Sequence, residues 1–400
     1  MSFVKNSPHP YHCKLSIGLL MAATLVAPQA YATETGTTPD ILDGSAYGRT
    51  TAEELSTDKA DHSVTAGQPE FAGIPALFSS PETGIGGGGA VVYLGPKIKA
   101  RRDFALVGAT LTERKQFLTA GLIELFDSSE RFSIETNFKL TRYPDFFFGI
   151  GNKTKLQDKD LYTMRTREIS FLVKVSPQVN PKHQLGLGMH QELTELDPFT
   201  ENGILATGDY EGKTGGVSRD LALTWQYQNN DEDFDPREGT RITWDLYRST
   251  KILGSDFENL RFWSNNAVFM PIDKKSTLAL QLYGQFSQGE IPWYHLAQSG
   301  GTNLLRGYFM GRFRDRQLLA TQAEVRRHLF RRIGVVAFGA VGQVAPKAAD
   351  LFKDAPLVGW GAGLRFRLTK NQRINARLDV GFNRSEPTKP ALYLYILEAF

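Results

Sequence analysis

The chain has 400 residues, of which 22% are charged and 11% aromatic, and its formal net charge at pH 7 is +3. No basic cluster with interleaved aromatics dominates a face, which argues against a nucleic-acid partner. The seven histidines have neither the spacing of a metal site nor a serine partner, so we expect no catalytic residues, no cofactor and no metal ion.

The first 32 residues have the pattern of a secretory signal peptide. Two lysines precede or border an apolar run at 15–27, and Ala30-Tyr31-Ala32 offers a small-x-small cleavage site. Cys13, the only cysteine, would be removed with this segment, so the mature chain has no thiol chemistry. Residues 33–70 are small and polar with little periodicity, and we expect them to form a flexible periplasmic tail.

Residues 71–400 show the pattern of a β-barrel. Segments of about ten residues alternate with clusters of Gly, Asn, Asp and Pro, as transmembrane strands require. After the signal peptide no stretch approaches the ~18 consecutive apolar residues of a membrane helix. We therefore predict an all-β fold, a transmembrane antiparallel up-and-down barrel of about 16 strands. The predicted strands are 74–80, 84–94, 102–112, 116–126, 131–142, 162–175, 183–195, 216–228, 240–250, 258–270, 276–287, 316–328, 333–344, 357–369, 373–384 and 391–400.

Two stretches in the first half have an unusual composition. Gly84 to Gly89 is not a phosphate-binding loop, because neither a Lys-Ser/Thr pair nor a helix follows it. Its glycines would instead weaken a seam or permit close packing. Residues 143–151 contain three consecutive phenylalanines, which suit an extracellular aromatic girdle.

The lengths of the connections predict the orientation of the barrel. With both termini in the periplasm, the connections after odd-numbered strands are extracellular and should be longer. The stretches 143–161, 196–215 and 288–315 meet this expectation. The stretch 229–239 is an exception, because it is a long connection on the periplasmic side.

The strand that begins at Arg373 has two phases of different polarity. Because a lipid-facing charge at mid-bilayer costs ~2–4 kcal/mol, we expect the charged phase to face the lumen. An arginine-bearing lumen of this kind is expected to be solvated or salt-bridged and requires no ligand. The predicted lipid-facing residues are Ile374, Ala376, Leu378, Val380 and Phe382, and the predicted lumen residues are Arg373, Asn375, Arg377, Asp379 and Gly381.

A glycine-rich loop precedes the twelfth predicted strand. It contains Arg306-Gly307-Tyr308, followed by Gly311 and Asp315. A guanidinium inside a barrel must be paired, because it loses its hydration there. Glu324 and Asp379 lie on the polar phases of their strands and are candidate acceptors for Arg306. The alternative is that Arg306 is a solvated loop arginine.

Three features resemble the BamA/TamA-type outer-membrane superfamily, also described as bacterial surface-antigen barrels. Leu305-Arg306-Gly307-Tyr308 is similar to the motif of the family's long extracellular loop, which folds back into the lumen. The turn Asp235-Pro236-Arg237-Glu238-Gly239 is similar to one that opens a strand in the family, and the chain ends at Phe400. The resemblance implies that Phe400 belongs to a terminal signal read by the barrel-assembly machinery. Glu398 interrupts the apolar phase of that signal, and we expect it near the membrane interface.

The resemblance also implies a location in the bacterial outer membrane and a role in inserting or translocating other outer-membrane proteins. Its partners would be outer-membrane lipids, the barrel-assembly machinery and other outer-membrane proteins as substrates. Assembling members of the family carry periplasmic POTRA modules, for which the ~35 residues before the barrel are too few. The alternative is therefore a passive channel or structural barrel without insertase activity. An outer-membrane phospholipase is not favoured, because His190 lacks the neighbouring motifs of such enzymes.

Overall fold

The computed structural model describes residues 69–96, 102–156, 159–176, 182–197, 202–368 and 373–400. The predicted signal peptide, with Cys13, lies outside the described residues, and so does the predicted tail up to residue 68. In the described part of the chain no helix is long and apolar enough to cross a membrane.

Sixteen antiparallel strands close into one barrel, which confirms the predicted all-β fold. The strands of the described residues are β1 (Glu70–Ser80), β2 (Gly84–Leu94), β3 (Phe104–Thr112), β4 (Phe117–Phe126), β5 (Phe132–Phe147), β6 (Asp160–Val175), β7 (His183–Leu196), β8 (Gly215–Gln228), β9 (Gly239–Ser249), β10 (Asn259–Asp273), β11 (Ser276–Gly289), β12 (Ala297–Ser299), β13 (Phe313–Asp315), β14 (Gln317–Phe330), β15 (Ile333–Ala345), β16 (Leu357–Arg367), β17 (Asn375–Asn383) and β18 (Ala391–Ile396). Each strand pairs with the next along the chain, except that β11 pairs with β14, and β18 returns to β1. The strands β12 and β13 form a separate two-stranded sheet.

Period-two alternation places apolar side chains outside and polar side chains inside the barrel. In β17, Arg377 and Asp379 are buried, whereas Leu378 between them is 44% exposed on the outer surface. This is the phase predicted from polarity, because charges are more stable inside than against lipid. Ile374 is an exception, since it was expected to face lipid but is 1% exposed. It lies before the first residue of β17, where the alternation of the strand does not apply.

The two ends of the barrel differ in the length of their connections. The connections β5–β6, β7–β8 and β11–β14 lie at one end, which we call the long-loop end. The opposite end, with tight turns such as the one between β10 and β11, is called the short-turn end. The expectation that residues 143–147 belong to a loop was wrong. They extend β5, because β6 continues to pair with them as far as Phe147↔Asp160.

The seam between the first and last strands is the weakest junction of the barrel. The strands β1 and β2 stay in register over their whole lengths, from Glu70↔Leu94 to Ser80↔Gly84. In contrast, β1 and β18 are in register at Ser79↔Leu394, close to the long-loop end. The strand β18 stops at Ile396 rather than at the predicted residue 400. The short-turn part of the β1 edge therefore has no strand partner within the described ladder.

Candidate functional site: the lumen and its inserted loop

The connection between β11 and β14, residues 290–316, folds into the lumen, and we call it the inserted loop. Its two short strands pair from Ala297↔Asp315 to Ser299↔Phe313 and form the stem of a hairpin. Gly300 follows the first of these strands with a φ of 103°, a conformation that favours glycine. Most of the loop is buried, so it is a packed part of the barrel interior.

Arg306 lies at the tip of the inserted loop and is 1% exposed. Its Nη1 donates to Asp379 Oδ2 at 2.6 Å, and its Nη2 donates to Glu324 Oε1. Its Cζ lies 3.6 Å from the centre of the Phe338 ring, which adds a cation–π contact. The structure therefore places both candidate acceptors beside Arg306, as a guanidinium without water requires. The alternative of a solvated loop arginine does not fit this burial.

The ion pairs of Arg306 continue into a larger buried network. Arg365 Nη1 donates to Asp379 Oδ1 at 2.5 Å, and Arg326 Nε donates to Glu324 Oε2 at 2.8 Å. Glu398 Oε2 accepts from Arg365 Nε at 2.7 Å. The Glu398 side chain is in the lumen and not on the outer, apolar face of its strand, and its position near the membrane interface stays a prediction. Its strand has already ended, and Leu397 turns the chain inward with a φ of 73°.

Gly307 packs against the barrel wall more closely than any other residue type could. Its φ is 110°, and a Cβ at this position would lie 2.4 Å from the carbonyl oxygen of Phe382. Its N–H donates to Tyr393 Oη at 2.9 Å, and its carbonyl accepts from Asn383 Nδ2 at 2.7 Å. The backbone of the motif is therefore held to β17 and β18.

The barrel wall that faces the Arg306-Gly307 backbone has glycines at the points of contact. This feature was not identified from the sequence. A Cβ on Gly359 would lie 2.6 Å from the carbonyl oxygen of Arg306, and one on Gly381 would lie 2.8 Å from Gly307 N. Gly381 was assigned only to the lumen phase of its strand. Glycines on the lumen phase of adjacent strands were the available signal, because a strand interior disfavours glycine unless another backbone approaches it.

The other motif residues of the inserted loop are also buried. Tyr308 is 1% exposed, and its Oη accepts from the N–H of Val358 at 3.3 Å. Gly311 has a φ of 68°, and its N–H donates to the carbonyl of Ser299 at 3.1 Å. Asp315 ends β13, where its carboxylate accepts from the N–H of Arg316 at 2.8 Å. Gly311 and Asp315 therefore shape the stem of the loop, whereas Arg306 and Tyr308 contact the wall.

A second polar cluster holds the inserted loop to the opposite wall. His295 Nδ1 lies 2.9 Å from Arg261 Nη1, and its Nε2 lies 3.3 Å from Glu192 Oε1. Arg261 Nη2 also donates to Asp220 Oδ2 at 2.6 Å, and that oxygen lies 2.9 Å from His190 Nδ1. His190 and His295 are far apart in the sequence, but the barrel brings them into one network.

Three side chains in this region could act as ligands to a metal ion. The ligand atoms of Glu168, His190 and Glu192 all lie within 4.8 Å of one another. However, Lys139 Nζ forms an ion pair with Glu168 Oε2. A metal ion bound by all three residues would have to compete with that ammonium group. The arrangement is accounted for as a buried ion-pair network.

Two of the three consecutive phenylalanines do not belong to the expected girdle. Phe147 and Phe148 are 0% and 2% exposed. The Phe147 ring lies 4.9 Å from the Trp293 ring, and the Phe148 ring lies 5.4 Å from the Phe309 ring. Both partners belong to the inserted loop. These aromatic side chains therefore cover the loop at the long-loop end instead of facing lipid.

The turn between β1 and β2 also contacts the inserted loop. Glu82 Oε1 accepts from the N–H of Met310 at 2.8 Å, and the Glu82 side chain is buried. Burial raises the pKa of Glu82 above its usual value, and the hydrogen bond from Met310 opposes this shift. The raised pKa means that the folded state binds the proton more tightly than the unfolded state does. Glu82 therefore stabilises the barrel less as the pH rises through its pKa in the folded state.

Replacing Glu82 by Gln should reduce the pH dependence of barrel stability. The amide keeps the acceptor for Met310 but cannot titrate, so the stability that Glu82 contributes at low pH and loses at high pH disappears. Heat-modifiable gel mobility measured at low and at high pH would show a smaller difference in unfolding temperature for E82Q than for wild type. Glu113→Gln, on an exposed residue beside the same turn, is the control and should leave the difference unchanged. An E82Q difference equal to that of wild type would contradict the prediction.

The Asp-Pro-x-x-Gly turn lies in the connection between β8 and β9, at the short-turn end. Asp235 Oδ2 accepts from Asn375 Nδ2 at 3.1 Å, which joins this connection to β17 on the far side of the mouth. Burial, followed by the charge of Glu398, raises the pKa of Asp235 to about 6. Pro236 follows it, and Gly239 has a φ of 111°, where a Cβ would lie 2.2 Å from the carbonyl oxygen of Asn229. The long connection between β8 and β9 therefore crosses the mouth of the barrel.

Phe400 lies inside the barrel rather than on a lipid-facing strand. Its ring stacks on Phe269 with centres 6.5 Å apart, and its carbonyl oxygen accepts from Arg326 Nη2 at 2.8 Å. This follows from the inward turn after Ile396. Its role as a terminal signal stays a prediction.

A closed barrel with an apolar exterior, a charged lumen and a buried inserted loop defines an outer-membrane barrel protein. Residues 103–389 match the model of the Omp85 superfamily domain. This match spans well over half of the chain, and the chain belongs to the Omp85 superfamily. Proteins of this superfamily are insertion or transport barrels of the Gram-negative outer membrane rather than enzymes.

Solved structures of similar fold include BamA and CdiB. The crystal structure of BamA from Haemophilus ducreyi lacking POTRA domains 1–3 has 11% identity and a TM-score of 0.59, covering 83% of this chain and 70% of that chain. CdiB from Acinetobacter baumannii has 11% identity and a TM-score of 0.54, covering 82% and 59%. CdiB from Escherichia coli has 12% identity and a TM-score of 0.52, covering 82% and 62%. The chain thus spans less than two thirds of either CdiB chain, and at these identities the likeness is one of fold.

Proposed function

We propose that this protein assists the insertion or translocation of other outer-membrane proteins, with its short-turn end facing the periplasm. The observation that supports the proposal is the seam between β1 and β18. It is in register at one residue pair near the long-loop end, so the β1 edge nearer the periplasm has no strand partner among the described residues. An incoming strand can pair with such an edge through main-chain hydrogen bonds.

The buried inserted loop is consistent with this role. The loop places side chains and ion pairs in the lumen, which opposes free passage of solutes through the barrel. A barrel that opens at its seam while its lumen stays filled can guide a strand into the membrane without leaking. Its substrates in this proposal are other outer-membrane proteins, and its own insertion depends on the barrel-assembly machinery.

A disulfide across the seam tests the proposal. Ser79 and Leu394 are in register as antiparallel partners, a separation that a disulfide can bridge. The double variant S79C/L394C, in a Cys13→Ser background, should lock the seam when oxidised. In a strain that depends on this protein, the levels of other outer-membrane barrels should fall several-fold and recover on reduction.

A matched disulfide at a fully paired junction serves as the control. Val91 and Val107 are in register between β2 and β3, and both face outward. V91C/V107C should therefore leave the levels of other barrels unchanged in either redox state. If the locked seam has no effect and the purified wild type shows a large steady conductance in planar bilayers, the protein is a passive channel and the proposal fails.

A further inference from the structure

A cationic cavity of about 120 Å³ lies at the short-turn end of the barrel, among the ends of β14 to β17. Nine Lys and Arg side chains line it, against two carboxylates, those of Asp235 and Glu398. The lining residues come from separate strands and turns, including Lys275 between β10 and β11 and Arg332 between β14 and β15. Four of these cations also pair with carboxylates outside the lining, those of Glu324, Asp379, Asp273 and Asp231. The cations still outnumber the carboxylates, and such an excess of positive charge attracts anionic groups.

Several of these cations are not fully satisfied by the rest of the described structure. Arg326 and Arg365 are 6% and 5% exposed, yet Nη1 of Arg326 and Nη2 of Arg365 have no hydrogen-bond acceptor among the described residues. The carboxylate of Asp235 lies 3.6 Å from Arg326 Nη1, which is too far for a hydrogen bond. Because a buried donor without an acceptor destabilises the folded state, an additional carboxylate at this position would stabilise the barrel.

The chain itself contains a segment of opposite charge. Residues 33–68 include seven Asp and Glu residues but only two Lys and Arg residues. This segment leads into β1, whose first residue, Glu70, lies at the short-turn end. From Glu53 to Glu70 is 17 positions, and an extended chain of that length reaches up to ~55 Å. A sixteen-stranded barrel has a diameter of roughly 30 Å, so these acidic residues can reach the cavity.

We propose that the acidic segment 33–68 of this chain binds in the cationic cavity, with its carboxylates accepting hydrogen bonds from Arg326, Arg365 and Arg332. The cavity volume of about 120 Å³ equals that of roughly four water molecules, so it accommodates one or two carboxylate groups at a time. Binding of this kind is electrostatic and therefore weakens as salt screens the charges. It is independent of what the barrel inserts or transports.

Carbodiimide cross-linking of the purified full chain tests this interaction, because it joins a carboxylate directly to a lysine amine in contact with it. Lys274 and Lys275 line the cavity and supply the amines. Mass spectrometry should find amide links between one of these lysines and the acidic residues of 33–68 at low salt. At 1 M salt the yield should fall at least fivefold.

Variants that keep every lysine and carboxylate provide the decisive comparison. The double variant R332Q/R367Q removes two cations of the cavity and should lower the yield of these links at least fivefold. Arg248→Gln, at the long-loop end of β9, should leave it unchanged. A mixture of normal and isotope-labelled chains distinguishes links within one chain from links between two. The proposal is overturned if no link forms, if the cavity variant links as efficiently as wild type, or if the links join different chains.

Discussion

Replacing Arg306 by Ala is expected to produce the largest loss of folded barrel among single substitutions in the inserted loop. The guanidinium is the partner of two buried carboxylates, Asp379 and Glu324. Removing one member of a buried ion pair typically costs ~3–5 kcal/mol, because the remaining charge stays uncompensated in a site without water. The variant should show a lower fraction of heat-modifiable, folded protein and, where it folds, a steady conductance that the wild type lacks.

Two further variants separate charge from general disturbance of the loop. Arg316→Ala, in the same loop, should have little effect, because the Arg316 side chain bonds only one backbone carbonyl, that of Gly289, among the described residues. Arg306→Lys should be intermediate, since an ammonium keeps the charge but cannot match two carboxylates with a planar group. Equal folding and equal conductance of R306A and wild type would show that the loop is not anchored through this residue.

Replacing Gly307 by Ala is expected to displace the inserted loop from the barrel wall. Its φ of 110° disfavours any side chain, and the new Cβ would lie 2.4 Å from the carbonyl oxygen of Phe382. A backbone atom on a paired strand cannot move away cheaply, so either the loop shifts or the strand pairing is disturbed. The shift would also break the hydrogen bonds of Gly307 with Tyr393 and Asn383. We expect a fall in unfolding temperature and an increased conductance.

Gly301→Ala is a matched control for this substitution. Gly301 also has a positive φ, at 92°, but the nearest atom to a Cβ there is 3.4 Å away, in the flexible side chain of Met310. The control therefore includes the free-energy cost of placing alanine at a positive φ, ~1 kcal/mol or more. It does not include a steric clash with a backbone atom. If G307A and G301A lower the unfolding temperature equally, close packing against β17 contributes nothing measurable.

The sequence alone was sufficient to predict the barrel, because each strand carries its own signal. Alternation of polarity with period two is a local property, and the membrane requires that every strand be paired into a closed sheet. Fifteen of the sixteen predicted barrel strands end within four residues of their observed ends, and β5 runs five residues further. The candidate acceptors of Arg306 could be named for the same reason, since polar phase and strand position limit where a lumen carboxylate can lie.

Only the tertiary structure determines the contacts between residues that are far apart in the chain. Gly359 and Gly381 are needed in the barrel wall because the backbone of Arg306 and Gly307 approaches them closely. His190 and His295 meet in one network because a loop inserts into the lumen, and period-two reasoning cannot place an irregular segment. Glu398 lies in the lumen because one residue with positive φ ends the strand before it. A local pattern determines which face of a strand is polar, but the position of a loop depends on packing and charge pairing in three dimensions.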